Sequence, residues 1–195
     1  MTIDIKTAAL QEGVPIIQDG GLLFLLGLIR ENGYKQILEL GTAVGYSSIQ
    51  MALSDDEIMI DTIEKEDEMY EKALRNITEY GLQDRITVYH MPIEEFKTEK
   101  QYDLIFVDAA KAQYGRYLER FIGNLKDDGK MVFDNMIFHG LIYHADEIRS
   151  RNLRNLVKKI LLFRENMQKD ERFDIMLFDN IGDGILLLSR RKDET

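Results

Sequence analysis

The chain has 195 residues, 45% of them hydrophobic, which suits one α/β domain (1–195) with a full core and leaves little room for a second. It contains no cysteine, so disulfides and thiolate metal sites are excluded and a reducing, cytoplasmic setting is expected. A formal net charge of −10 argues against a body that coats nucleic acid with its whole surface, while leaving room for a local basic patch.

In chain order, the first pronounced apolar run is Gly20 to Ile29. It is about half the length that spans a bilayer and no basic stretch precedes it, so a buried helix is expected, not a membrane anchor or signal peptide. Residues 1–35 then read as a helical cap on a core of 36–190. Short apolar runs alternate there with longer amphipathic ones. Strands are predicted at Gln36–Leu40, Ile58–Ile63, Ile86–Tyr89, Leu104–Val107, Lys130–Phe133, Asp174–Phe178 and Ile185–Leu188. Helices are predicted at Ser47–Leu53, Glu66–Tyr80, Tyr114–Leu125 and Asp146–Met167. This rhythm implies an open, mostly parallel sheet with helices on both faces. The last two strands are joined only by Asp179-Asn-Ile-Gly-Asp-Gly184, a link that permits an antiparallel pair but no crossover helix.

Ligands of such sheets sit beyond the carboxyl ends of the strands, so the residues just past each strand are the chemical candidates. The first strand runs through Glu39 into Gly41, Thr42 and Gly45, with a helix opening at about Ser47. Glycine allows a tight turn and close approach to a ligand, and the N–H groups of the helix start face it. A plain strand-to-helix turn would look the same, and the spacing is not the dinucleotide fingerprint Gly-x-Gly-x-x-Gly. The second strand ends at Glu64, 25 residues after Glu39, where a carboxylate can accept both hydroxyls of a ribose. The competing reading is a solvated charge in the acidic run Glu64–Glu68.

The fourth strand ends Phe106-Val-Asp108 and the fifth ends Phe133-Asp-Asn135. Asp108, Asp134 and Asn135 would gather at neighbouring tips as an all-oxygen set, which suits hard Mg²⁺ and not Zn²⁺. Asp-Asn alone would be read as a turn; Asp108 at the adjacent tip favours the metal. Lys111, three residues after Asp108, can point into the same cleft, where a nearby cation would lower its pKa and fit it to take a proton. A surface lysine is the bland alternative.

Taken together, Glu39-Leu-Gly-Thr-x-x-Gly-Tyr-Ser47, Phe106-Val-Asp-Ala-x-Lys111, Asp134-Asn with Gly140 following, and Ile181-Gly-Asp-Gly-Ile185 resemble the cation-dependent class I O-methyltransferases, the family of catechol and caffeoyl-coenzyme A O-methyltransferases. The likeness runs from about Val14 to Arg191. It implies a Rossmann-like, seven-stranded sheet with one antiparallel strand, a homodimer, and S-adenosylmethionine as cofactor. That cofactor would be held by Gly41, Ser47 and Glu64, with Val14, Glu39, Thr42, Gly45, Met91, Pro92 and Asp108 around it. The metal would sit on Asp108, Asp134 and Asn135, and Lys111 would be the base. Two departures stand out. Met91-Pro92 replaces the usual small or acidic pair near the adenine, implying apolar packing there. The segment before Val14 is short for the family, so a helix that covers the site is expected to be missing.

Gly41-Thr-Ala-Val-Gly-Tyr-Ser-Ser48, Asp108-Ala-Ala-Lys-Ala-Gln-Tyr114 and Asp134-Asn-Met-Ile-Phe-His-Gly140 look like the bacterial branch that methylates 5-hydroxyuridine at the tRNA wobble position. A tRNA acceptor needs cations for phosphate. Arg149, Arg151, Arg154, Lys158, Lys159 and Arg164 supply them, with Arg151, Arg154 and Lys158 at one-stripe helical spacing. A solvated helix face is the ordinary reading of such a run. Tyr114, Phe138, His139 and Tyr143 could line a cleft that stacks either a base or a phenolic ring. The leading expectation is therefore methylation of tRNA 5-hydroxyuridine. A small catechol-like acceptor is the alternative of the same chemistry, and a non-catalytic cofactor-binding module the alternative of another class. A dehydrogenase is disfavoured by the glycine spacing.

Overall fold

The structure, a computed structural model, describes residues 4–191; residues 1–3 and 192–195, which the expected 1–195 domain includes, lie outside them. Its strands are β1 (Gln36–Leu40), β2 (Met59–Glu64), β3 (Ile86–His90), β4 (Tyr102–Val107), β5 (Leu125–Phe133), β6 (Phe173–Phe178) and β7 (Ile185–Arg190). They form one sheet in the order β3-β2-β1-β4-β5-β7-β6. Only β7 is antiparallel, to β5 on one side and β6 on the other. The hairpin read from Asp179–Gly184 is therefore present.

The central strands are apolar at most positions because both faces are covered. In β4, Leu104 and Phe106 join one core, while Ile105 and Val107 join the other. The helices are α1 (Ile5–Gln11), α2 (Asp19–Asn32), α3 (Tyr46–Leu53), α4 (Asp67–Glu79), α5 (Tyr114–Phe121) and α6 (Arg151–Lys169). Apolar side chains of α2, α3 and α4 fill the first core, and those of α5 and α6 fill the second. A third, small cluster (Ile142, Ile148, Val157 and Ile160) lies beside α6 under the segment that follows β5. Among the described residues no helix is long and apolar enough to cross a membrane.

Several boundaries differ from the sequence expectation for identifiable reasons. Strand β5 starts at Leu125, not Lys130, because Leu125 pairs with Tyr102 before a bulge that the polar run Lys126-Asp-Asp-Gly129 conceals. The helix expected over Tyr114–Leu125 stops at Phe121 and gives way to a 3-10 turn, Ile122–Asn124. Helix α6 begins at Arg151, where the Ser150 hydroxyl accepts from the Leu153 N–H (3.4 Å), and Leu141–Glu147 are 3-10 turns. The segment before Val14, expected to lack a covering helix, folds as α1, with Asp4 at its N-cap and Ile5 and Ala9 buried.

Four carboxyl strand ends are held level by backbone bonds that continue past the strands. Gly41 N–H donates to Ile63 (3.2 Å), Asp108 N–H to Leu40 (3.0 Å) and Asp134 N–H to Val107 (3.1 Å). At the centre, Gly41 has φ 103°, and a Cβ there would overlap the carbonyl oxygen of Asp108. Gly41 is thus demanded by the neighbouring strand end, and not only by a ligand. Gly41→Ala should lower stability by about 1–3 kcal/mol in urea denaturation. Gly123→Ala, whose Cβ would meet nothing within 4 Å, should stay within about 0.5 kcal/mol of wild type.

Candidate active site

A cavity of about 640 Å³ opens over these strand ends. One wall comes from Gly41–Ala43, Ser47 and Glu64; another from Asp108–Lys111 and Asn135; Pro15–Gln18 close it from the N-terminal side. Glu64 is 8% exposed and accepts from the backbone N–H groups of Ala43 (2.9 Å), Lys65 (2.8 Å) and Glu66 (2.9 Å). It is a fixed acceptor on the wall, not a solvated charge. Thr42 and Ser47 share that wall.

Five residues expected around the cofactor lie off the wall in positions with another purpose. Glu39 is fully buried below the loop and accepts from Ser47, Ser48 and Thr62, while Thr62 is in turn 2.6 Å from the Thr42 hydroxyl. It organises the loop without facing the cavity. Gly45 caps α3 in the left-handed region (φ 81°), facing Ala73 of α4. Val14 packs on the first core, and Pro15–Gln18 take its place. After β3, a turn closed by Glu95 N–H to Pro92 O (2.9 Å) carries Ile93 and Glu94 to the wall, so the expected contact at Met91-Pro92 moves two residues on.

The oxygen set converges, with one qualification of depth. Asp108 and Asn135 line the cavity, whereas Asp134 is 2% exposed behind them, its Oδ1 accepting the Asn135 N–H (2.7 Å). Burial, and then the charge of Asp108, push the Asp134 carboxyl well up from its usual range. Burial raises Asp108 likewise, against the pull of Lys111. The buried carboxyl of Asp134 and the half-buried one of Asp108 thus share a corner, with Lys111 as the cation beside Asp108. Lys111, at the start of the 3-10 turn Lys111–Gln113, brings Nζ to 3.7 Å from Asp108 Oδ1 and lines the same wall. Among the described residues no three Asp, Glu, His or Cys side chains are grouped to hold a metal; the set here is two carboxylates and an amide.

Sequence reasoning gave no role to Asp183, in the β6–β7 hairpin. It is 2% exposed and accepts from Asn135 Nδ2 (3.3 Å) and the His139 N–H (2.6 Å). An acid between two glycines in a hairpin is the signal that could have marked it.

On the far side, Phe138 and His139 line the cavity as expected. Tyr114 does not: it is 1% exposed and its OH donates to the Asp134 carbonyl (2.9 Å), because the preceding 3-10 turn swings it inward and presents Tyr117 instead. Tyr143 is 59% exposed, off the wall, and donates to Asp179 (3.0 Å). Among the described residues, the non-glycine positions with positive φ are Ala43, Asn135, Phe138 and His139, and all four are on the cavity wall. Such backbone is costly outside glycine and clusters at working sites.

The basic stripe forms only in part. Arg154 Nε donates to the Ile148 carbonyl (2.9 Å), and Arg164 pairs with Asp179 (2.8 Å). Both stabilise the approach to α6 and the hairpin. Arg149, Arg151, Lys158 and Lys159 are exposed.

A family model described as O-methyltransferase matches residues 6–192. The caffeoyl-CoA O-methyltransferase of Populus kitakamiensis is 31% identical over 176 residues, covering 86% of this chain and 74% of its own. A Staphylococcus aureus structure, provisionally assigned as a caffeoyl-CoA O-methyltransferase, superposes with a TM-score of 0.92 at 34% identity, over 96% of this chain and 90% of that one. An O-methyltransferase from Bacillus cereus in complex with SAH superposes with a TM-score of 0.77 at 24% identity, over 94% and 87%, a likeness of fold.

Burial pushes Glu39 from 4.5 up to about 7, against three hydroxyl donors that pull it down. The fold therefore favours its protonated form, so its contribution to stability is greatest below 4.5 and is lost as pH rises through about 7. Glu39→Gln is neutral at every pH. Between pH 4.5 and about 8, wild type should lose up to roughly 3 kcal/mol relative to that variant, read from paired denaturation curves. Parallel curves would contradict the assignment.

Proposed function

The chain belongs to the O-methyltransferase family, and on that premise we propose that it moves the methyl group of S-adenosylmethionine onto a hydroxyl of a small phenolic, catechol-like acceptor, with a divalent cation such as Mg²⁺. The observation that carries this reading is that Asp108, Lys111 and Asn135 share one cavity with Gly41–Ala43 and Glu64. A nucleoside-type groove and an acid–amide–amine corner thereby open on the same space.

Glu64, its carboxylate fixed by three N–H groups, would accept a ribose hydroxyl with its remaining lone pair. Asp108, Asp134 and Asn135 would hold the cation. They fit it: the donors are all oxygen, and burial raises both carboxyls although Lys111 stands beside Asp108, so a divalent cation would offset charge that one amine leaves unbalanced. When bound, S-adenosylmethionine supplies the electrophilic methyl, and the cation acidifies and orients a hydroxyl it ligates. Lys111 Nζ would receive the proton of that hydroxyl. Phe138 and His139 would hold the acceptor ring and keep water out.

The small acceptor is favoured over tRNA on two grounds. The Populus and Staphylococcus relatives are named for caffeoyl-CoA, and Arg154 and Arg164 are committed inside the protein. The tRNA 5-hydroxyuridine reading rests on the four cations still exposed, Arg149, Arg151, Lys158 and Lys159.

Labelled S-adenosylmethionine, offered with caffeoyl-CoA, a simple catechol or undermethylated tRNA at matched salt, tests the proposal. Methylation of a phenolic acceptor is expected, abolished by EDTA and restored by Mg²⁺. Lys111→Ala should cut kcat by about 10²–10⁴-fold with cofactor affinity unchanged. Turnover of tRNA alone would replace the small acceptor, EDTA-insensitive turnover would reject the cation, and cofactor binding without turnover of any acceptor would leave a binding module.

A further inference from the structure

We infer that Asp183 is a positioning residue, which fixes the side-chain amide of Asn135 with its nitrogen turned away from the cation, leaving the oxygen to ligate it. The inference rests on the cation site proposed above and adds a residue to it.

A side-chain amide has two ends of nearly equal size and opposite character, and a cation accepts only the oxygen. Left to itself, Asn135 could offer either. A carboxylate can only accept, so a partner of that kind selects the amide nitrogen and decides the orientation. Asp183 Oδ2 takes the Asn135 Nδ2 at 3.3 Å, and its Oδ1 takes the His139 N–H at 2.6 Å. Its carbonyl accepts the Ile137 N–H at 2.9 Å. One residue thus clasps the segment from Asn135 to His139 at three points, where Asn135 (φ 58°) and His139 (φ 56°) hold left-handed backbone. The hairpin cannot easily withdraw: a Cβ on Gly184 would lie 2.7 Å from the Ile137 nitrogen, so the two chains already touch.

A clasp alone does not require a charge. Asp183 is 2% exposed; among the described residues the basic group paired with it is the exposed ring of His139, 3.6 Å away, while Asp108 and Asp134 bring like charge. A buried carboxylate costs more than a buried amide, and an asparagine could accept the same backbone bond. What it could not do is exclude the reversed amide at Asn135, since its own nitrogen could donate to the Asn135 oxygen.

The test is Mn²⁺ binding to the full chain, followed by the EPR signal of free Mn²⁺, with S-adenosylhomocysteine affinity as an independent readout. Asp183→Asn should weaken Mn²⁺ by about 10–100-fold, the range for residues behind a ligand, and leave S-adenosylhomocysteine affinity unchanged. In an Asn135→Ala background the same change should cost almost nothing, because there is no amide left to orient. The exchanged pair, Asn135→Asp with Asp183→Asn, keeps the charge and the hydrogen bond and should regain Mn²⁺ binding. It is also the variant to read if Asp183→Asn fails to fold, and its failure to bind would overturn the inference. Wild-type affinity in Asp183→Asn would overturn it while leaving the cation site standing. An equal loss with and without Asn135 would mean that Asp183 acts only by its charge, which also overturns it. If wild type itself binds no Mn²⁺ while Asp183 and Asn135 variants melt normally, the cation site fails and the inference falls with it.

Discussion

Hydrogen bonds that run from each strand to the residue just beyond its neighbour set the geometry of everything functional in this chain. Ile63, Leu40 and Val107 lie at or next to the ends of their strands, and their carbonyls receive the N–H of Gly41, Asp108 and Asp134. Parallel pairing delivers the register, since β2, β1, β4 and β5 all leave the sheet in the same direction. Residues 41, 108 and 134 are remote in sequence, yet they are placed as rigidly as the sheet itself. Loops anchored that way give sharper sites than free loops do.

Below this row the fold accepts a buried acid at Glu39, and above it strained backbone at Ala43, Asn135, Phe138 and His139. Neither feature benefits the core. Glu39 ties Ser47, Ser48 and, through Thr62, Thr42 into one network, so the loop carrying the cavity wall is ordered before any ligand arrives. The crowded carboxyls of Asp108 and Asp134, with one lysine beside them, belong with these costs. A stable sheet with apolar faces on both sides offsets them, which is the usual division between scaffold and site.

Much of this was legible in the sequence because strand ends are. Glu64 and Asp108 directly follow apolar residues and Asn135 comes one residue after such a run, and a residue in that place must emerge at the edge of the sheet. Glu39 was misplaced for the complementary reason. Being inside the run, it alternates onto the α3 face, and period-two geometry sends it below the loop. Positions governed by turns were less readable. A single turn shifts the wall from Met91-Pro92 to Ile93-Glu94, and one 3-10 step exchanges Tyr114 for Tyr117. Arg154 has the spacing of a surface stripe but is drawn back to a carbonyl of its own loop, which spacing alone cannot reveal. Asp183 was hidden by distance, because its partners lie 44 to 48 residues earlier.

The small cluster of Ile142, Ile148, Val157 and Ile160 stands apart from the two sheet cores. The segment carrying Phe138 and His139 therefore leans on a separate foundation with few buried side chains. Regions of low contact density open at a fraction of the free energy needed to part the main layers. Breathing at Phe138 and His139 can proceed while the wall at Gly41 and Glu64 stays in place, and sequence drift in that foundation can reshape one side of the cavity without disturbing the other.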